Sequence, residues 1–443
     1  MRRRFHRPPG RVTALAALVM SGALVVTGCS GSTTTSAHGS TAANQAAASG
    51  GSALPITLTF WDHSQQAVDL ANAYVKAAAD FKTLYPNVTV NIQTTPYDQY
   101  HDKLMTALKG GTGPDIMGLD QIWVPEFASA GVLLPLDDLV AKSTAVNQNA
   151  FYPSAWDTTL WKGKQYAVPL GVDVWSMLVW NPDLFKAAGL DPNTPPKTWD
   201  ELLQYAQKLT GNGVFGIALP AATSEVLSIF MDMFTYSNGG RILNADGSVA
   251  VNSPQAAQAL DFLFHKLIKY APNGAANLDQ GGAEALFTSG KVAMMFDGNW
   301  AQQTLDSQAK FDWQGATVPV PAAGDTFHGA TGGWDLAVNA KSPNADMAFK
   351  FIEYLTTRPD VQNTIAENTP ALIAAAKQYL PTRKFPAVIQ ALAETGMARP
   401  ETPVYNTIST IQQNDIQKII GGADISATLA QMQKEMQDAI ASQ

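Results

Sequence analysis

The stretch Ile56–Gln93, "ITLTFWDHSQQAVDLANAYVKAAADFKTLYPNVTVNIQ", changes its periodicity twice. Ile56, Leu58 and Phe60 alternate with threonines, the two-residue period of a strand. Ala71, Tyr74, Val75, Ala78, Phe81 and Tyr85 then recur at helical spacing, and Pro86 ends the run. Val88, Val90 and Ile92 alternate once more. A strand, a helix of this length and a second strand predict a βαβ unit with parallel strands. The fold class is therefore α/β.

The pattern continues downstream. After the breaker "KGGTGP", the run "GPDIMGL" predicts another short strand. In "PPKTWDELLQYAQKL", Thr198 is placed to cap a helix and Glu201 to complete a capping box, with Leu202, Ala206 and Leu209 on the buried stripe. Further helices are legible in "SPQAAQALDFLFHKLIKY" and "ADMAFKFIEYLTT". Ile425, Leu429, Met432, Met436 and Ile440 mark a last one. No internal repeat is visible.

Upstream, "MRRRFHRPPGR" holds five arginines and no acid, and "VTALAALVMSGALVV" follows it. The apolar run has the length of a signal-peptide core and falls short of the roughly 20 residues a membrane-spanning helix needs. Val26, Thr27 and Gly28 lead into Cys29, the only cysteine, which excludes an internal disulfide. This run resembles a bacterial lipobox, in which the cysteine is lipidated and becomes the mature N-terminus. "RRRFHR" also loosely fits a twin-arginine signal. Residues 30–53 are Ser, Thr, Gly and Ala with almost nothing to bury, a flexible tether reaching on the order of 25 Å.

Composition narrows the function. Removing the signal takes five of the 29 basic residues and none of the 37 acids, leaving 24 − 37 = −13. Such a charge argues against nucleic acid as a partner. No Cys/His cluster has metal-ligand spacing, and no phosphate-cradling G-x-x-x-x-G-K-[ST] loop occurs, so no cofactor is expected. About 390 residues follow the tether, more than one core usually organises, so two lobes are expected.

The chain from Leu54 onward resembles the solute-binding lipoproteins of bacterial ABC importers, in the carbohydrate-binding, maltose-binding-like branch. "TFWDH", "FKTLYPNVTVNI", "GTGPDIMGLDQIWVPEFASAGVLLPLDD", "WKGKQYAVPLGVDVWSMLVWNPDLFKAAGL", "ALFTSGKVAMMFDGNWA" and "GGWDLAVNAKSPNADMAFKFIEYLTT" carry the likeness in family order. The resemblance implies a two-lobe periplasmic-binding-protein fold of type II, the Venus flytrap, with a ligand between hinged lobes. It places crossings near "VPLGVDVW", near "GATGGW" and around residues 368–370. The implied organisation is a signal peptide over 1–28, a lipidated tether over 29–53, one lobe over 54–170 and 331–368, and the other over 171–330 and 369–443. It further implies a monomeric carrier, lipid-anchored outside the membrane, that delivers a sugar to ABC permease subunits.

A neutral sugar offers hydroxyls and an apolar C–H face, and indole rings match the second. Trp300 in "FDGNWA" and Trp334 in "GGWDL" are the leading candidate stackers, with Gly298 and Gly333 leaving room for close approach. Trp61 either lines the cleft or caps the core. Ligands of α/β sheets collect at the carboxyl ends of strands, where Asp62 and Asp120 fall. Asp173, in a crossing, joins them as a partner for hydroxyls. His63, Ser64, Tyr97 and Trp123 are further candidate contacts, and Tyr405 a candidate wall. Asp115 is assigned to its turn, and Arg399 to an acid rather than to ligand. "ARPETPVY" looks like the corresponding segment of α-glucoside binders for maltose or trehalose.

Paired carboxylates beside aromatic platforms also describe glycosidases, with Asp120 and Asp173 as acid and base. The chain shows no recognisable catalytic signature and no G-x-S-x-G, which favours reversible capture. A lipoprotein that tethers a protein partner is the third class, and it predicts no ligand-induced change of shape.

Overall fold

The computed structural model describes residues 54–63, 68–365 and 369–442. Cys29, the signal and tether segments and Ser64 lie outside the described residues. The strands are β1 (Ile56–Asp62), β2 (Val88–Thr94), β3 (Ile116–Asp120), β4 (Leu160–Trp161), β5 (Lys164–Gln165), β6 (Ala167–Trp180), β7 (Met294–Gly298), β8 (Gln314–Thr317), β9 (Ala330–Val338), β10 (Thr369–Pro370) and β11 (Met397–Ala398).

The expected βαβ unit is present: β1 pairs in parallel with β2, and helix Val68–Leu84 joins them. Its buried face carries Tyr74, Ala77 and Phe81. Val75, expected on that face, is exposed. Tyr74 and Phe81 lie seven positions apart, and Ala77 completes their stripe, which turns Val75 outward. Phe60 packs edge-on against Tyr74 at 5.0 Å, locking helix to sheet.

The main sheet runs β10-β6-β9-β3-β1-β2, with β11 on β9 and with β7 and β8 on the far half of β6. β6 is the long member. Its first half runs antiparallel to β9, and its second half lies between β7 and β8. β10 pairs with β6 at Gly171 and Val172. The three stretches assigned above as crossings thus lie side by side in one sheet.

Two smaller apolar clusters cover opposite ends of this sheet. One gathers Tyr100, Leu104, Met117, Trp123 and Phe127 near β3, the other Met177, Phe287, Met295, Leu305 and Trp313 near β7. The largest cluster runs between them, from Leu58 to Met436.

Local signals elsewhere are realised with small differences. Thr198 caps helix Trp199–Leu209 by accepting from the Glu201 amide, but Glu201 reaches back to the Lys197 amide rather than to the cap's own. The expected helix after Ser253 is α-helical over Pro254–Leu260 and continues as a π-helical turn, Asp261–Lys266. Helices Ala345–Thr356 and Ile425–Ala441 form as expected; in the second, Leu429, Met432 and Met436 are buried, while Ile425 and Ile440 at its ends are half-buried. Asp115 does more than serve its turn: it accepts from the Thr59 amide and hydroxyl and from Ser342, tying β1 to the loop after β9.

Candidate functional site

Strand register builds the site. Directly opposed residues in a ladder share a face. Asp120 on β3 opposes Trp334 on β9. Across β9, Trp334 opposes Gly171, Gly332 opposes Asp173, and Ala330 opposes Trp175. Asp120, Trp334, Asp173 and Trp175 therefore line one face.

A bulge makes this so. Val168 and Pro169 pair in one register with β9, and the register slips by one residue before Gly171. Without that slip, Val172 would take the place of Asp173, because a one-residue shift exchanges the two faces. Val172 and Val174 instead point into the core.

At one end of the stripe the half-buried Trp334 ring stacks on the His63 imidazole, with centroids 3.2 Å apart and planes at 7°. His63 Nδ1 lies 3.2 Å from the carboxylate of Asp62, which sits over Gly118, where a Cβ would collide with it. At the other end, Trp300 meets Trp175 edge-on at 4.7 Å. Gly171 to Trp175 is four residues, so the two aromatic ends stand roughly 13 Å apart with Asp173 midway.

Arg399 crosses the stripe. Its Nη2 donates to Asp120 at 3.1 Å, its Nη1 to Glu225 at 3.0 Å, and its Nε to the Thr331 carbonyl at 3.2 Å. The assignment of Arg399 to acids is thus what the structure shows. Asp120 also accepts from the Ile122 amide, capping the turn Gln121–Trp123. On the opposite face Asp335 is buried, and burial, followed by the charge of Asp120, pushes its carboxyl well above the usual range.

Several expected contacts stand elsewhere. Trp61 turns to the other face, packs on the apolar cluster near β3 and lies under the Lys103 ammonium at 5.0 Å. Trp123 is buried behind Trp334, edge-on at 6.1 Å, so its role is support. Tyr405 is buried rather than presented on an open wall. Its hydroxyl donates to Glu225, and burial, followed by the Glu225 charge, raises its pKa well above the ordinary phenol value. The room beside the two glycines is taken by the chain itself. Trp300 folds over Gly298, and the Gly171 carbonyl fills the space at Gly333, whose φ is +141°. Tyr97 is the first residue of helix Tyr97–Lys109.

Trp175 and Glu225 were missed. Trp175 follows Asp173 by two, so the strand period alone could have found it. Glu225 opens helix Glu225–Ser237, where an acid ordinarily serves the helix dipole, and nothing local pairs it with a residue 174 positions away. Among the described residues no group of three or more His, Cys, Asp or Glu could hold a metal ion, and no helix is long and apolar enough to cross a membrane.

A large mixed α/β sheet flanked by many helices, with aromatic and acidic side chains gathered on one face, is the fold of the two-lobe periplasmic binding proteins. The chain belongs to the bacterial extracellular solute-binding protein family, whose model matches residues 67–362. Among solved structures, an ABC transporter solute-binding protein from Thermotoga lettingae bound with α-D-tagatose is 30% identical with a TM-score of 0.73, over 87% of this chain and 99% of that one. A probable amino-acid ABC transporter periplasmic-binding protein of Sinorhizobium fredii is 26% identical, over 69% of this chain and 70% of its own. The maltotriose-binding protein of Pyrococcus abyssi is 25% identical, over 84% and 80% respectively.

Proposed function

We infer that the stripe captures a neutral saccharide, with an α-glucoside disaccharide of the maltose or trehalose kind as the favoured ligand, and delivers it intact to ABC permease subunits. The observation that carries this reading is the order aromatic, acid, aromatic along one sheet face, long enough for more than one sugar ring. A stacked ring that loses on the order of 100 Å² of exposure gains ~2.5 kcal/mol. Two such rings, with hydrogen bonds of about 1 kcal/mol each, approach the ~8 kcal/mol of micromolar binding. Asp173 suits sugar hydroxyls, which donate to carboxylates, whereas Asp62 is buried and bonded to His63.

The relatives named above include sugar-binding proteins and one probable amino-acid-binding protein. The charge pattern favours the sugar. An amino acid's carboxylate needs a cation, and Arg399 is already held between Asp120 and Glu225.

Capture proceeds by lobe closure: the sugar binds both lobes and shifts the population toward the closed form. The lobes are assigned as 54–170 with 331–368 and 171–330 with 369–443, the chain being moored through a lipid on Cys29. Tryptophan fluorescence titrated against maltose, trehalose, tagatose and neutral amino acids tests the reading, with the sugar recovered and analysed afterward. Saturation by a disaccharide recovered unchanged is expected. Saturation by amino acids alone, or cleaved sugar from repurified protein, overturns it.

A further inference from the structure

Behind Arg399 runs a seam of buried polar side chains between helices Glu225–Ser237 and Tyr405–Ile420. Glu225 accepts from the hydroxyls of Tyr405 and Ser409, Ser228 bonds Ser409, and Gln412 donates to Asp232 at 2.7 Å. Positions 225, 228 and 232 on one helix, and 405, 409 and 412 on the other, follow the spacing that normally carries an apolar packing stripe. Here that stripe is polar, and its outer end reaches the binding face.

Glu225 is that outer end. Its carboxylate side chain is one-third exposed, whereas the Arg399 side chain it holds is only 6% exposed. The Arg399 guanidinium joins three elements: the end of β3 through Asp120, β9 through the Thr331 carbonyl, and helix Glu225–Ser237. Gly332, opposite Asp173, lies beside the guanidinium: a Cβ there would make ordinary contacts, 3.6 Å from Arg399 Nη2 and 3.5 Å from the Asp173 Cβ.

We propose that Glu225 is a positioning residue for ligand capture: by fixing Arg399 against Asp120 and β9, it ties the Trp334 end of the stripe to helix Glu225–Ser237, so that sugar binding and the seating of that helix are one event. The proposal rests on the saccharide reading above. Removing the charge of Glu225 while keeping its shape takes from Arg399 one of its two carboxylate partners, leaving Asp120 and the Thr331 carbonyl to hold it. Asp120, and with it the turn Gln121–Trp123 that it caps, then loses its fixed position.

The test compares the full chain with Glu225→Gln, Glu225→Asp and Ser228→Ala. Ser228 belongs to the seam but does not touch Arg399. Amide hydrogen exchange of the ligand-free proteins is read first. Glu225→Gln is expected to speed exchange over residues 120–124 and 397–404 without lowering Tm as a core mutation would, and Glu225→Asp to restore part of the protection. Calorimetric titration with the saccharide that wild type binds best follows. Glu225→Gln is expected to weaken binding about tenfold or more, Glu225→Asp less, and Ser228→Ala not at all.

Unchanged exchange in Glu225→Gln overturns the proposal, whatever the ligand proves to be. So does an affinity loss that Ser228→Ala shares, because that would mark general destabilisation. Wild type that binds no saccharide on the panel refutes the functional reading instead, and the exchange result still decides the positioning role.

Discussion

Trp334 and Trp300 stand at the two ends of one stripe, both half-buried, yet they are held by different means. Trp334 belongs to β9 and is fixed by backbone ladders on both sides, to Asp120 and to Gly171. Its ring also stacks on His63 and meets Trp123 at a right angle. Trp300 follows β7 in a single turn of 3-10 helix and leans on Trp175 and on the bare backbone of Gly298. One indole is placed by main-chain register, the other by side-chain contact. Register resists displacement because moving one residue means breaking a ladder, whereas a ring resting on a glycine can swing away.

The glycines beside the two indoles break this contrast most sharply. Gly333→Ala puts a Cβ against the Gly171 carbonyl at a φ that side chains rarely adopt, so the backbone itself must move. We expect a loss of about 3 kcal/mol or more, read as a clear fall in the denaturant midpoint. If Gly333→Ala proves as stable as wild type, the rigid-register description of the Trp334 end is wrong.

Removing the rings comes next. Trp334→Ala should weaken saccharide binding about tenfold or more, as measured by fluorescence or calorimetric titration. Trp300→Ala should cost less, about fivefold, because a ring free to swing keeps only part of the gain of a fixed stack, and Gly298→Ala, which pushes the same ring aside, should match it while leaving the fold intact. Equal losses at both ends would erase the distinction.

The smallest effect sits in the seam behind the Trp334 end. Asp232 is buried, and burial raises its carboxyl from the usual range to about 8. The native state therefore holds a proton that the unfolded chain has already released. Stability from this group is complete below about pH 4 and is lost as pH rises toward 8. Asp232→Asn removes that loss. Its Tm should exceed wild type by a few degrees at pH 8.5 and by less at pH 5.5. A difference that does not grow with pH would show that Asp232 is ionised in the native seam.

Much of the fold was legible. Ile56–Gln93 announced its βαβ unit because each element buries one side, and one-sided burial writes its period into the chain. The cap at Thr198 was legible because capping is satisfied within a few residues. The site was legible only in part. Asp120 and Trp334 were named for their types, but their opposition across a ladder joins positions 120 and 334, and no local pattern records that. Trp123 and Tyr405 lie buried, and Trp61 takes the core side of the alternative left open for it, for the same reason: aromatic residues serve cores and cleft walls alike, and composition does not distinguish them.

The sequence alone determined the α/β class, the order of its elements and the acidic, tryptophan-rich character of the chain, because those depend on neighbours in sequence and on summed charge. The tertiary structure decided which face Asp173 and Trp175 occupy, through a one-residue bulge, and which acids Arg399 joins. Both outcomes rest on contacts between distant segments, whose geometry exists only once the sheet has formed and its register is fixed.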